Sequence, residues 1–285
     1  MTSKFLRRFL FAFGALVVLG YCGIIVWFTI HESEFVYYPT KSYEATPEVY
    51  GLTHESVTIE SGDGTQLTGW IIPSPTVDSS VTWILYLHGN SGNVGKTGYL
   101  EHYAQLHNLG VNIFSIDYRG YGESNGTPGE AGLYADAEAA YHFLRQVKHV
   151  PPDRIVVYGY SLGAAVAIDL ATRVEIAGLI VEGAFTSLPN VGQEHYPYLP
   201  TQLVTGNRFT SIQKIGRVDA PKLFIHARDD RTVPIHHGKD LFQVATSPKT
   251  FLEVKGSHDT AHNVDAVVFY AGIKEFLESI LGKAH

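Results

Sequence analysis

Residues 155–163 constrain the fold of this chain more than any other stretch. A β-branched run there ends in the pentapeptide GYSLG, and the helix-forming residues 164–168 follow at once. This order predicts a strand, a sharp turn and a helix. Such a turn holds its central serine in a strained conformation, and only small residues two places to either side let the strand and the helix approach closely. Gly159 and Gly163 meet that requirement, so Ser161 is a candidate nucleophile.

Alternating strand and helix patterns on both sides of this turn predict an α/β fold. The predicted strands besides the one before Ser161 are 56–60 and 66–72, which form an antiparallel hairpin, and then 83–87, 111–117, 178–182, 222–226 and 250–254. The predicted helices besides the one after Ser161 are 98–109, 131–148, 238–244 and 264–281. We therefore expect a mostly parallel central sheet of about eight strands flanked by helices. With 285 residues, of which 45% are hydrophobic, the chain can bury one large core.

Residues 9–30 carry no charged side chain, and about 20 apolar residues are what a helix needs to cross the hydrocarbon core of a bilayer. We therefore expect a single membrane-spanning helix at 9–30, within a signal anchor at 1–31. Basic residues precede it and acidic residues follow it. The positive-inside rule then predicts a cytoplasmic amino terminus and a domain on the outer side, periplasmic or lumenal.

Two other interpretations of this segment are a cleaved signal peptide and a lipoprotein signal that ends at Cys22. The apolar run is long for a signal peptide, and residues 29–32 are a poor cleavage sequence. A lipoprotein signal needs a small residue before its cysteine, where this chain has Tyr21. An uncleaved anchor is therefore favoured, with cleavage as the alternative. Cys22 is also the single cysteine, which excludes an intrachain disulfide.

Two segments interrupt the alternation. Residues 32–55, which include FVYYP at 35–39, are expected to connect the anchor to a folded domain at 56–285. Tyr37 and Tyr38 would lie near the membrane interface, or pack on the domain surface. Residues 186–218 contain several prolines and aromatic residues. A long insertion usually has a function, so we expect a short lid with weak secondary structure over the substrate pocket; a surface excursion is the alternative.

Composition argues against some other classes of function. The formal net charge is −7, and the only basic cluster stands in the first few residues, which argues against nucleic acid as a partner. Fourteen histidines form neither an HExxH nor an HxH motif, and His236 and His237 are expected in one loop. We therefore expect no metal site and no cofactor. The sequence leaves the oligomeric state open.

A nucleophilic serine needs a histidine to take its proton and an acid to orient that histidine. Two later loops, ARDDRTVP at 227–234 and KGSHDT at 255–260, carry these residue types after predicted strands. Asp229 and Asp230 compete for the role of the acid, and the position three residues before a Val-Pro pair favours Asp230. His258 directly follows a Gly-Ser turn and is the better placed base. His262 is interpreted more simply as a helix-entry or surface histidine.

Backbone amides can stabilise the oxyanion that such a reaction forms. The Leu162 amide lies at the first turn of the helix after Ser161, and the HGN motif at 88–90 follows an earlier strand. We predict that the Asn90 amide is the second donor, with Ser91 as the alternative. His88 is expected to order its loop. Arg119 is expected to form an ion pair in its own loop rather than bind a substrate anion.

Four motifs stand in order along the chain: HGNSGNVG at 88–95, DYRGYGES at 117–124, GYSLG at 159–163, and DDRTVP with the later GSH. They resemble serine hydrolases of the α/β-hydrolase superfamily. With FVYYP after an N-terminal apolar helix, they are most similar to its membrane-anchored Bem-type and α/β-hydrolase-domain branch. The resemblance covers nearly the whole chain. It implies an α/β-hydrolase fold with Ser161 as nucleophile, Asp230 as acid, His258 as base, and the Asn90 and Leu162 amides as oxyanion donors.

The ordered motifs predict hydrolysis of a carboxylic ester or thioester through an acyl-enzyme on Ser161. The anchor would hold the site near a bilayer, which favours a lipid-like acyl group. An amide or peptide hydrolase is one alternative, since the triad does not define the acyl or leaving group. A membrane-tethered binding or scaffold protein without turnover is another. One departure from the family pattern is Ala164, where many relatives have a second glycine.

Overall fold

The computed structural model describes residues 2–76 and 81–281. The remaining residues of the predicted anchor and domain lie outside this range. The strands are β1 (Tyr38–Pro39), β2 (Glu55–Glu60), β3 (Gln66–Ile72), β4 (Trp83–Leu87), β5 (Ser91–Gly92), β6 (Asn112–Ile116), β7 (Ile155–Tyr160), β8 (Gly178–Glu182), β9 (Lys222–Ala227) and β10 (Lys249–Val254). The α-helices are α1 (Thr2–Ile30), α2 (Glu32–Val36), α3 (Thr97–His107), α4 (Glu130–His142), α5 (Leu162–Ala171), α6 (Leu188–His195), α7 (Thr201–Val204), α8 (Ser211–Lys214), α9 (Ile235–Val244), α10 (Ala261–Val264) and α11 (Ala266–Leu281).

The central sheet has eight strands in the order β10-β9-β8-β7-β4-β6-β3-β2. Strand β3 pairs antiparallel with both β2 and β6, whereas every neighbouring pair from β6 to β10 is parallel. This arrangement confirms the predicted mostly parallel sheet of about eight strands with an antiparallel start. It also places the carboxyl ends of β4, β7, β8, β9 and β10 at one edge, where α/β proteins form their sites.

Helices cover both faces of the sheet, which explains the nearly continuous apolar runs of the parallel strands. Successive side chains of a strand point to opposite faces. In β7, for example, Val157 packs in the cluster with α4 and α5, whereas Val156 and Tyr158 pack in the cluster with α3 and α11. The strand that leads to Ser161 is thus held rigidly on both sides.

The predicted helices differ from the structure by a few residues at their ends, and one of them changes its helix type. The helix predicted at 131–148 is α-helical only from Glu130 to His142 and continues as a π-helical turn, Phe143–Val147. The closing helix predicted at 264–281 is α11, which begins at Ala266, and the short helix α10 precedes it. Asp265 stands between them, and its carboxylate accepts a hydrogen bond from the Lys255 amide at 3.0 Å. Asp265 has φ −121° and ψ 37°, outside the helical region, so α10 ends there, and the bond to the residue after β10 holds Asp265 in that conformation.

Helix α1 contains the predicted membrane-spanning segment. From Lys4 to Ile30 it is long and apolar enough to cross a membrane. Its mean hydropathy is 2.5, and its most apolar stretch of 18 residues is not buried in the fold. Such a helix at the amino terminus is compatible with an anchor or with a signal sequence.

The segment 32–55, predicted as a connection, packs instead against the domain. The buried Glu32 carboxylate accepts hydrogen bonds from the Gly206 and Asn207 amides at 2.7 and 2.9 Å. Tyr37 is also buried, and its hydroxyl donates to the Asn207 side chain at 2.9 Å. Strand β1 adds a short parallel pairing with β5. Of the two predicted interfacial tyrosines, Tyr37 therefore packs in the fold and Tyr38 stays exposed.

The insertion 186–218 forms three short helices, α6 to α8, joined by loops. Its second half is tied down by buried apolar side chains, Phe209, Ile215 and Val218. The loop between α6 and α7 instead exposes the side chain of Tyr198. The predicted weak secondary structure is therefore present, while the function of this segment as a lid stays a prediction.

Candidate active site

The turn between β7 and α5 has the strained geometry that its sequence predicts. Ser161 has φ 54° and ψ −116°, in a region that residues with a side chain rarely occupy. A Cβ atom on Gly163 would lie 2.6 Å from the His88 carbonyl oxygen, and one on Gly159 would lie 2.6 Å from the Ala164 Cα atom. Both positions therefore require glycine, and this close packing presents Ser161 at the edge of the sheet.

Ser161, His258 and Asp230 form a continuous hydrogen-bonded chain. His258 Nε2 lies 2.8 Å from Ser161 Oγ, and His258 Nδ1 lies 2.6 Å from Asp230 Oδ2. The three residues follow β7, β10 and β9, so the parallel sheet brings together loops far apart in sequence. With the Nδ1 proton donated to Asp230, Nε2 is free to accept the serine proton.

The structure distinguishes the two aspartates that the sequence left in competition. Asp230 is buried, and its Oδ1 atom accepts hydrogen bonds from the Thr232 and Val233 amides at 2.9 and 2.7 Å. Those amides fix the carboxylate while its other oxygen faces His258. Asp229 is exposed, and its amide bonds to the Gly256 carbonyl. The geometry therefore brings Asp230, and not Asp229, to the histidine.

His262 is the second residue of α10, as the interpretation of a helix-entry histidine predicts, but it is buried rather than on the surface. Its ring packs between α3 and α11, with its centroid 5.7 Å from that of His102. Burial lowers the pKa of His262 from its ordinary value, so the ring is held in its neutral form. It lies in the core beside α3, whereas His258 contacts Ser161.

The two predicted oxyanion donors border one cavity with Ser161. Asn90 and Leu162 both line it, and within the described residues neither of their backbone amides donates a hydrogen bond to another group. The Asn90 side chain is used structurally, because its Nδ2 atom donates to the Val36 carbonyl at 3.0 Å. The Ser91 alternative also lines the cavity. The role of these amides stays a prediction.

This cavity has a volume of about 340 Å³, in the range of small-ligand sites. Its wall includes the hydrogen-bonded residues Ser161 and His258 together with side chains from the insertion and from the amino-terminal helices. The apolar part of the wall is formed mainly by Phe28, Phe35, Phe185, Leu188 and Val191. An apolar substituent therefore fits beside the serine.

Glu182 is a buried acid near the triad that the sequence did not single out. Its backbone carbonyl accepts the Ser161 amide at 2.8 Å, and its side chain accepts the Tyr158 hydroxyl at 2.7 Å. Burial raises the pKa of Glu182 to about 7. The sequence signal that could have indicated this buried acid is the single charged residue at the end of the apolar strand GLIVE.

His88 has the structural role that the sequence favoured, and Arg119 also forms ion pairs but not with the predicted partners in its own loop. His88 is fully buried with Nδ1 2.7 Å from the Gly89 carbonyl, and burial lowers the pKa of His88 to about 4. Arg119 pairs with the buried Asp136 and with Asp63, both at 2.7 Å. Asp136 lies on α4 and Asp63 in the β2–β3 turn, so these ion pairs connect Arg119 to other elements rather than to its own loop.

A set of possible metal ligands, which the sequence did not predict, lies outside this cavity. Donor atoms of Glu194, His236 and His237 come within 4.8 Å of one another. Each histidine places Nε2 3.0 Å from Glu194 Oε1. The histidines begin α9 rather than lying in a loop, and Glu194 comes from α6. They border a separate surface cavity, so an ion held there would not contact Ser161.

Comparisons with known proteins agree with this architecture. A family model described as "Alpha/beta hydrolase family" matches residues 84–211. The alpha/beta hydrolase domain-containing protein WAV2 of Arabidopsis thaliana is 30% identical, over 94% of this chain and 93% of that protein. The lysophosphatidylserine lipase ABHD12 of Danio rerio is 35% identical over 60% of this chain and 49% of that protein. The esterase Pf2001 of Pyrococcus furiosus shares the fold, with a TM-score of 0.72 and 22% identity over 86% of this chain and 99% of that chain.

Proposed function

Because this chain belongs to the alpha/beta hydrolase family, as its motifs predicted, we propose that it is a serine hydrolase that cleaves carboxylic ester or thioester bonds. One observation carries the proposal: a hydrogen-bonded chain from Asp230 through His258 ends on the oxygen of a strained serine that lines a cavity. That arrangement is what covalent acyl transfer requires.

In the first half of the reaction, Ser161 Oγ attacks the carbonyl carbon of the substrate while His258 Nε2 takes the hydroxyl proton. The Asp230 carboxylate stabilises the imidazolium that forms, without itself taking the proton. The carbonyl oxygen becomes an oxyanion that accepts hydrogen bonds from the Leu162 and Asn90 amides. Helix α5 begins at Leu162, so its amino-terminal dipole also favours the negative charge.

Collapse of this intermediate breaks the bond to the leaving oxygen or sulfur, which takes the proton from His258. The acyl group stays on Ser161 Oγ. A water molecule then gives a proton to His258 Nε2 and attacks the same carbonyl carbon. His258 returns the proton to Ser161 Oγ as the acid product leaves, so the enzyme ends in its starting state.

Two observations support a lipid-like acyl group as the substrate. The cavity beside Ser161 is lined largely by apolar side chains, and a relative with 35% identity over part of the chain is described as a lipase.

We propose that helix α1 anchors the enzyme in a membrane as a single span, with a cytoplasmic amino terminus and the hydrolase domain outside, and that residues 186–218 act as a lid. Because residues 32–55 pack on this domain, we place its start at Glu32. The accessibility of the domain to protease on intact cells tests the orientation, and full protection would contradict it.

Hydrolysis of defined esters tests the reaction itself. The full-length wild type should hydrolyse p-nitrophenyl esters and acyl thioesters, and Ser161→Ala should reduce the rate to background. Ser56→Ala is the matched control, because Ser56 is exposed on β2 away from the cavity. Matching amides in the same panel distinguish an ester hydrolase from an amide hydrolase. A folded wild type that cleaves none of these compounds would exclude the proposal.

A further inference from the structure

Three aromatic side chains join the membrane helix, the following helix and the insertion. The rings of Phe28 in α1 and Phe35 in α2 stack with centroids 4.9 Å apart, and Phe28 is 6.0 Å from the ring of Tyr196. All three line the cavity that contains Ser161. A residue inside the predicted membrane span therefore forms part of the wall of the candidate active site.

The insertion also follows α1 away from its carboxyl end. The Tyr21 hydroxyl donates a hydrogen bond to the Tyr198 carbonyl at 2.6 Å. Tyr21 precedes the last residue of the helix, Ile30, by nine positions, which is about 13 Å along the axis at the rise of an α-helix. If α1 spans the bilayer, this contact brings the loop at Tyr198 to the membrane surface.

Large exposed side chains near this contact are of the types that commonly contact lipid. Tyr198 and Leu203 are 87% and 85% exposed, although each is large and mostly apolar. Amphipathic aromatic and leucine side chains with this exposure commonly enter the boundary between lipid headgroups and acyl chains. The edge of the insertion beside α1 therefore suits contact with lipid rather than with water.

The part of the cavity wall that comes from β5 and from the residue before α3 is polar. Lys96 and Ser91 line it, and the Lys96 ammonium donates to Ser91 Oγ at 2.8 Å. In the described part of the chain no carboxylate lies within 4.0 Å of that ammonium. Two carboxylates also line the cavity: Glu32 accepts the Gly206 and Asn207 amides, and Asp259 accepts the Tyr160 hydroxyl. One part of the cavity is thus apolar and continuous with the membrane helix, and another part is polar and holds the Lys96 ammonium.

We propose that helix α1 forms part of the acyl-binding site, and that the substrate is a membrane lipid whose acyl chain enters from the bilayer beside Phe28. The polar part of that lipid faces Lys96 and Ser91, and its ester carbonyl reaches Ser161. Exposing an acyl chain to water costs free energy in proportion to its length. Direct passage from the bilayer to the Phe28 and Phe35 wall avoids that exposure. This inference rests on the proposed hydrolase function.

The test uses the full-length protein in phospholipid vesicles, with p-nitrophenyl acetate and p-nitrophenyl palmitate as substrates. Phe28→Ala should lower kcat/KM for the palmitoyl ester about tenfold more than for the acetyl ester, because only the long chain reaches the part of the wall that is lost. The matched control is Phe11→Ala on the same helix, since Phe11 is 81% exposed and does not line the cavity. It should leave both rates unchanged.

Several outcomes would overturn the inference. An unchanged palmitoyl rate in Phe28→Ala shows that α1 does not bind the chain, and an equal loss for both esters shows that Phe28 supports the fold instead. If the wild type hydrolyses both esters, either outcome leaves the proposed function intact. A wild type that hydrolyses neither ester overturns both proposals.

A second measurement does not depend on a folded variant. A hexadecyl fluorophosphonate with a photoreactive diazirine near the end of its chain should react with the wild-type enzyme in vesicles and, after illumination, crosslink to residues 28–36 or 191–205. These ranges contain the cavity-lining residues Phe28, Phe35 and Tyr196. Crosslinks found only elsewhere in the chain would contradict entry beside α1.

Discussion

The substitution Gly163→Ala tests whether close packing at the β7–α5 turn positions Ser161. The new Cβ atom would lie 2.6 Å from the His88 carbonyl oxygen and closer still to that of Leu87. Both obstacles are backbone atoms of β4 and its loop, in the centre of the sheet. They cannot rotate away as a side chain could, so the turn itself must move.

The expected loss of stability and rate follows from how far the turn must move to relieve these two clashes. An ordinary carbon contact needs 3.4 Å or more, so the turn must open by roughly 1 Å. Overpacking of this kind in a core costs about 1–3 kcal/mol of unfolding free energy. A displacement of about 1 Å at a nucleophile can cost on the order of 100-fold in rate. We therefore expect both effects together.

The assay combines hydrolysis of p-nitrophenyl butyrate with urea unfolding in detergent. Gly163→Ala should lose about 100-fold in kcat and unfold at lower urea. Gly98→Ala in α3 is the control, because a Cβ atom there meets nothing within 4 Å; its rate and stability should be unchanged or slightly raised. The reasoning is refuted if Gly163→Ala keeps wild-type stability and a kcat within about twofold.

Three further predictions concern charged groups. Asp230→Asn should reduce kcat on the same ester by about 10⁴-fold with little loss of stability, since Oδ1 can still accept the Thr232 and Val233 amides; a loss below about tenfold would contradict this role. The pKa of Glu182 is raised from 4.5 to about 7 in the fold. As the pH rises between these two values, the unfolded chain loses this proton while the folded chain keeps it, so the free energy of unfolding should fall by about 1.4 kcal/mol per pH unit. Glu182→Gln should therefore flatten the fall between pH 5 and 7 in urea unfolding, and an unchanged slope would be evidence against the buried acid. Arg119→Ala leaves the buried Asp136 unpaired and should cost about 3–5 kcal/mol of unfolding free energy. Arg228→Ala, which removes an exposed ion pair, should leave stability nearly unchanged in the same measurement; similar losses for both would show that burial of Asp136 is unimportant.

Much of the fold was accessible from local patterns. Each strand of the central sheet and each long helix of the domain has its own apolar pattern and its own turn residues, and these do not depend on the rest of the chain. The chain order of Ser161, Asp230 and His258 was informative for the same reason, since each follows a recognisable strand. The parallel sheet then brings the ends of those strands together.

The parts that could not be predicted depend on contacts between distant segments. The Glu32 carboxylate binds the amides of Gly206 and Asn207, and such a pairing leaves no trace in the pattern around either segment. The docking of 32–55 was missed for this reason. His262 was correctly predicted at a helix entry, but its burial was not, because one histidine there gives no signal for the packing that α3 and α11 impose.

The metal-ligand geometry of Glu194, His236 and His237 was missed on similar grounds. It forms only when α6 of the insertion meets the start of α9. The contact between the insertion and α1, through Tyr21 and Tyr198, likewise joins residues far apart in sequence. Long insertions have weak internal patterns, so their partners become visible only in the fold.

Labelling with a fluorophosphonate probe tests the central claim most directly, because only an activated serine reacts with it. The full-length wild type should become labelled, and peptide mass spectrometry should place the modification on Ser161. Ser161→Ala should stay unlabelled, while the exposed-serine control Ser56→Ala should label like the wild type. A folded wild type that does not react, or a Ser161→Ala variant that still does, would contradict the assignment of Ser161 as the nucleophile.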